Sequence, residues 1–143
     1  AETTAGAIAR ARIDVDGRLG AFERFGPAPL YEGAYTDGLA IDAQGNVWIT
    51  ELSRHALLVL TPDGTAHPIF EDPDGATIQT PTHVAFGGDD LKTVFIGSLR
   101  MSTIPAFRAP VPGLPTRHWR RRTALAFIDA AGPGAFANDE TGS

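Results

Sequence analysis

The aspartates and histidines are the side chains of this sequence that could carry chemistry, and most of them stand in turns. Asp37, in "TDGLAIDAQGNVWITEL" (36–52), opens an apolar run. Its carboxylate suits either a ligand role or the tight turn that an Asp-Gly pair favours. Asp42, Asp63 and Asp74 are each in a turn setting and are expected to remain turn formers. His83, in "THVAFG", reads first as a packing histidine. His55, His67 and His118 share no close spacing of the kind a zinc site uses. The chain has no cysteine, which excludes disulfides and thiolate metal sites. It also contains no G-x-S-x-G, P-loop or dinucleotide fingerprint. One carboxylate does little chemistry alone, so the elements that surround Asp37 decide what it can meet.

Those elements are short and β-rich. Runs at 38–42 (GLAID), 46–51 (NVWITE), 56–61 (ALLVLT) and 66–71 (AHPIFE) are broken by Ala43-Gln44-Gly45, by 52–55 and by Pro62-Asp63-Gly64. They predict four antiparallel strands in sequence order. The next unit repeats the order at 82–87 (THVAFG), 93–98 (TVFIGS) and 103–108 (TIPAFR), where Pro105 is expected to mark an edge or a bulge. Around Glu2, Glu51 and Ser98 the same succession recurs, with separations of 49 and 47 residues. That period is near the ~40–50 residues of a four-stranded propeller blade. Trp48 and Phe86 are expected inside the blades and Gly87-Gly88 in a turn. Residues 1–119 carry no helical period; 122–131 (RTALAFIDAA) predicts a short helix ended by Gly132-Pro133-Gly134, followed by a polar tail.

Composition narrows the class. With 143 residues, 43% apolar and 20% charged, the chain reads as one globular unit, and no apolar run reaches the ~18 residues of a membrane span. A net charge of −5 argues against a nucleic-acid footprint. The exception is a local basic cluster of Arg117, His118, Arg120, Arg121 and Arg122, which reads as a solvated segment. The only methionine is Met101 and no signal peptide is present, so the expectation is a cytoplasmic protein whose N-terminus is either processed or cut from a longer chain.

Three stretches, "TDGLAIDAQGNVWITEL" (36–52), "TPTHVAFGGDDLKTVFIGSL" (80–99) and "PVPGLPTRHW" (110–119), resemble the C-terminal part of the regucalcin/gluconolactonase family, also called the senescence-marker-protein family. The resemblance covers roughly residues 1–119 and implies an all-β fold: about two and a half four-stranded blades of a six-bladed β-propeller. The units are then a blade remnant at 1–29, blades at 30–75 and 76–119, and a C-terminal tail at 120–143. It further implies a divalent-metal-dependent hydrolase of sugar lactones. By position Asp37 is the family's metal ligand and catalytic carboxylate, with calcium the expected ion and zinc, manganese or magnesium as alternatives. The ion polarises the lactone carbonyl, stabilises the oxyanion and delivers water. The family's partner glutamate and asparagine motifs have no match here, and Glu2 and Glu51 fall at second-strand ends. Aligning Ala85 with Ala40 sets Thr82 beside Asp37 and His83 beside Gly38, which makes Thr82 and His83 candidate substrate contacts.

Six blades of ~45 residues need roughly 270 residues, about twice this chain. The expected states are therefore a piece of a longer lactonase, a homodimer or pairing with a complementary propeller half, or an open blade array. In the last case the chain would be a non-catalytic binding or assembly module. The start at Ala1 falls inside a blade, so the first unit is expected to lack its two inner strands.

Overall fold

The computed structural model describes residues 1–116. Among these the regular elements are nine strands and no helix. Strands β1 (Ala9–Arg10) and β2 (Glu23–Arg24) form a two-stranded ribbon. Strands β3 (Thr36–Ile41), β4 (Val47–Glu51), β5 (Ala56–Leu60) and β6 (Ala66–Glu71) make a four-stranded antiparallel sheet in sequence order. Strands β7 (Pro81–Gly87), β8 (Thr93–Ser98) and β9 (Ala106–Arg108) make a three-stranded one. The helix expected at 122–131 and the basic cluster at 117–122 lie outside the described residues.

The middle sheet is buried on both faces, and its sequence shows why. Strand β5, ALLVL, is apolar at every position and every residue is buried. Ala56, Leu58 and Leu60 join Ile49 in a cluster with Ile8, Phe25, Leu30 and Ala34 of the first unit. Leu57 and Val59 join Trp48 in a second cluster with Ile78, Val84, Val94, Ile96 and Ala109 of the third. Side chains alternate across a strand, so a continuous apolar run is what a sheet packed between two others requires. Trp48 meets Phe86 edge to face with ring centroids 5.2 Å apart, inside the second cluster as expected.

The outer strands are more irregular. In β6 the register slips between Leu57 and Leu58 of its partner, next to Pro68, and five of its six residues are exposed. Strand β9 is shorter than the 103–108 expected: Pro105 has no N–H to give, and regular pairing starts at Ala106. The Pro105 carbonyl still accepts the Ile96 amide at 3.0 Å. In the first unit Glu2 bridges Ala7 as Glu51 pairs with Ala56, and Gly6 and His55, the residues before those partners, both have positive φ. The repeat read around the two glutamates is thus a repeated hairpin.

Residues 109–114 run back beneath the last two sheets. Ala43 donates to the Pro112 carbonyl, Gly113 to Leu91 and Leu114 to Ile41, each at 2.8 Å. This strap joins the β3–β4 turn to the β7–β8 turn. A Cβ on Gly113 would stand 2.3 Å from the Cβ of Phe86, so only glycine fits the crossing.

Candidate functional site

Asp37, Thr82 and His83 come together at one end of the molecule. In β3 one extra residue lies between the Thr36–Glu51 and Leu39–Ile49 pairs; in β7 one lies between Pro81–Ser98 and His83–Gly97. Both first strands therefore carry a bulge at their head, in the same place, and Asp37 and Thr82 are the residues it displaces from the ladder. The two heads touch. A Cβ on Gly38 would stand 2.6 Å from the Thr82 carbonyl oxygen and 2.7 Å from the His83 Cα. Glycine at 38 is what lets the backbones approach so closely. Asp37 and His83 are exposed and Thr82 is half-buried.

A hydrogen-bonded frame holds the β3 head from below. Thr50 Oγ1 accepts the Gly38 amide at 2.8 Å, inside the bulge. Glu51 is fully buried and its carboxylate accepts the amides of Tyr35 at 2.8 Å, Ser53 at 3.0 Å and Arg54 at 2.9 Å, together with the Ser53 hydroxyl at 2.6 Å. Burial works against its charge, but the donors from Ser53, Tyr35 and Arg54 outweigh it and hold the Glu51 carboxyl below its ordinary value. Burial and the neighbouring Glu51 carboxylate push the Tyr31 phenol up. The guanidinium of Arg54 lies over the Tyr31 ring, 3.8 Å from its centroid. Sequence reading found Glu51 only as a repeat marker. The signal for its role was a glutamate at a strand end followed at once by the donors of a Ser-Arg turn.

The loop between the second and third sheets is fixed in the same manner. His55 Nδ1 accepts the Thr80 amide at 3.0 Å, and Asp72 accepts the amides of Thr77 at 2.6 Å and Ile78 at 2.9 Å. Asp74 stands exposed in the turn itself, as expected, and the buried carboxylate that fixes the turn is Asp72. Asp63 does form its turn, accepting the Thr65 amide at 3.0 Å. Asp42 does more than form one. It is 1% exposed and accepts Gln44 N at 2.9 Å, Asn46 N at 3.0 Å, Asn46 Nδ2 at 2.8 Å and Trp48 Nε1 at 3.0 Å.

Calcium takes about 6–8 oxygen ligands. Among the described residues no three His, Cys, Asp or Glu side chains gather at one point. Asp37 offers one carboxylate at the head of β3.

Comparison with known proteins gives this surface a context. Residues 1–100 match the SMP-30/gluconolactonase/LRE-like region. A 6-deoxy-6-sulfogluconolactonase of Pseudomonas putida is 34% identical over 88 residues, 62% of this chain and 29% of that protein. Pentonolactonase XacC of Haloferax volcanii is 31% identical over 96 residues, 66% of this chain and 31% of that protein. Among solved structures, the calcium-binding protein regucalcin from Agrobacterium tumefaciens superposes with a TM-score of 0.60 at 24% identity, over 71% of this chain and 34% of the other. At that identity the likeness speaks for the fold: the three sheets are blades of a partial β-propeller. The chain spans about a third of the length of the curated relatives it matches.

Proposed function

Because the chain belongs to the SMP-30/gluconolactonase/LRE-like family, we propose that it forms part of a sugar-lactone hydrolase and contributes Asp37, Thr82 and His83 to the active face. The observation that carries this reading is the contact of Gly38 with the Thr82 carbonyl and His83 backbone, which sets the three polar residues on adjoining inner-strand heads. Relatives named as lactonases at 34% and 31% identity support the substrate class.

In this reading Asp37 is one ligand of a divalent cation, calcium by preference and zinc, manganese or magnesium otherwise, completed by oxygens from outside residues 1–116. Such an ion, when bound, supplies Lewis-acid activation of a lactone carbonyl. The chain's own residues have simpler tasks. The Asp37 carboxylate accepts a proton from an attacking water or holds that water by a hydrogen bond. The Thr82 hydroxyl and the His83 imidazole can donate to, and accept from, sugar hydroxyls, which fixes the ring above Asp37. The Glu51 frame keeps the β3 head from relaxing as substrate binds.

The test is hydrolysis of an aldonolactone by the assembled, ring-closed protein with and without divalent cation. Asp37→Ala should lower kcat by about 100-fold or more, and Thr82→Val should chiefly raise KM. Full activity in Asp37→Ala, or hydrolysis indifferent to divalent ions, would overturn the reading. It would leave the alternative in which the blades serve only as a binding or assembly module.

A further inference from the structure

The successive amides of Thr77, Ile78, Gln79 and Thr80 all donate to side chains. Asp72 Oδ2 accepts Thr77 at 2.6 Å and Ile78 at 2.9 Å, Met101 Sδ accepts Gln79 at 3.2 Å, and His55 Nδ1 accepts Thr80 at 3.0 Å. The segment runs straight into β7 at Pro81, so its last residue sets where the bulged head with Thr82 and His83 begins. Thr80 itself holds φ at 50°. A β-branched residue keeps that left-handed conformation only where its surroundings compel it. Here they are His55, in the β4–β5 turn, and Leu99, whose amide donates to the Thr80 carbonyl at 3.2 Å.

Of the three acceptors, the imidazole is the one that a proton disables near neutral pH. Nδ1 takes the Thr80 amide only while it carries no hydrogen, which fixes His55 as the neutral Nε2–H tautomer. An imidazolium is a donor at both nitrogens and sets an N–H against the Thr80 N–H. His55 is half-buried, so solvent protons reach it. Around it, the turn after β6 brings Asp72 and the exposed Asp74, and the end of β6 brings Glu71, ion-paired with Arg54 at 3.6 Å. The segment after β8 brings the exposed Arg100, and β7 the exposed His83. Asp72 is the partner that matters: the Ile78 and Thr77 amides hold its carboxyl below its ordinary value, so it stays ionised while an imidazole titrates and attracts the charged ring. That attraction offsets the acceptor lost to Thr80, which keeps the change local.

We propose that His55 is a pH-operated latch on the head of β7. The neutral imidazole holds Thr80 in its left-handed conformation. A solvent proton on Nδ1 releases Thr80 and shifts the Thr82–His83 bulge from its contact with Gly38. The latch acts on the position of Thr82, whatever Thr82 binds, and does not depend on lactone hydrolysis.

Imidazole nitrogen NMR shifts and amide exchange on the full chain test it. At about pH 8 the spectrum should show Nδ1 bare and Nε2 protonated. Between there and about pH 5.5 the protection factor of the Thr80 amide should fall about 10-fold or more, while that of Ile78 holds. The Thr82 and His83 amide signals should move with the midpoint of the His55 ring. His55→Asn is the control: its Oδ1 accepts the same amide, asparagine tolerates positive φ, and no proton blocks it. In that variant Thr80 should be equally protected at both pH values. A bare Nε2 at the higher pH, or Thr80 protection in the native chain that does not change with pH, would overturn the proposal without recourse to any variant. So would the same fall in His55→Asn, which would assign the change to His83 or to a carboxylate.

Discussion

Asp42 is the side chain whose surroundings are most completely specified. Four donors converge on a carboxylate with almost no access to water, and one of them is the indole N–H of Trp48, the largest side chain of the second core cluster. Burial opposes the charge, but the bonds from Trp48, Asn46 and Gln44 prevail and the Asp42 carboxyl sits below its ordinary value. Replacing it with alanine strands those donors in the interior, and Asp42→Ala should destabilise the fold by about 3 kcal/mol in urea unfolding. Asp42 and Glu51 both have lowered folded values, and the salt bridge from Arg108 holds Asp90 at about 2. Groups depressed on folding stabilise the protein above their unfolded values near 4 and lose that contribution as pH falls through the folded ones. Stability should therefore be level from neutral pH to about 5 and decline between about 4 and 2. Urea midpoints that stay constant down to pH 2 would contradict this. A turn at Asp42 was legible in the sequence because Asp42 and Asn46 flank Ala43-Gln44-Gly45, a local turn signal between two apolar runs. Its burial was not, because that depends on the strap at 109–114 lying over it.

At the scale of the strand, most of the architecture was readable and the bulges were not. Periodicity placed β3 to β8 within two residues of their observed ends, since each is a short apolar run between breakers. A bulge adds one residue without changing composition, so "TDG" and "PTH" look like ordinary strand starts. Only the alignment of the two units, with Thr82 set against Asp37, hinted that both heads are built alike. Gly38 gives the direct check. Gly38→Ala drives a Cβ into the backbone of Thr82 and His83, which cannot rotate away, and should lower stability by about 1–3 kcal/mol. An unchanged Tm would mean that the two inner strands do not meet there.

For the whole molecule, the middle sheet is the common partner of two cores, and its strand β5 divides them residue by residue. Leu58→Ala and Leu57→Ala remove the same atoms from adjacent positions, and each should destabilise by about 2–5 kcal/mol. Their local effects should differ. Leu58 faces Ile8 and Phe25, so its loss should speed amide exchange in the first unit; Leu57 faces Val84 and Val94, so its loss should speed exchange in β7 and β8. Identical exchange maps for the two variants would show that the sheets open as one body.

The strap at 109–114 and the contact at Gly38 lie at opposite ends of β3 and β7. Two fixed points on a pair of neighbouring strands determine the wedge angle between the blades that carry them. In a ring of equal blades that angle sets how many can be accommodated before the circle closes. Gly113 at one end and Gly38 at the other each remove a Cβ that would wedge the blades apart. The angle between these two blades is therefore written into two glycines, one at each end of their interface.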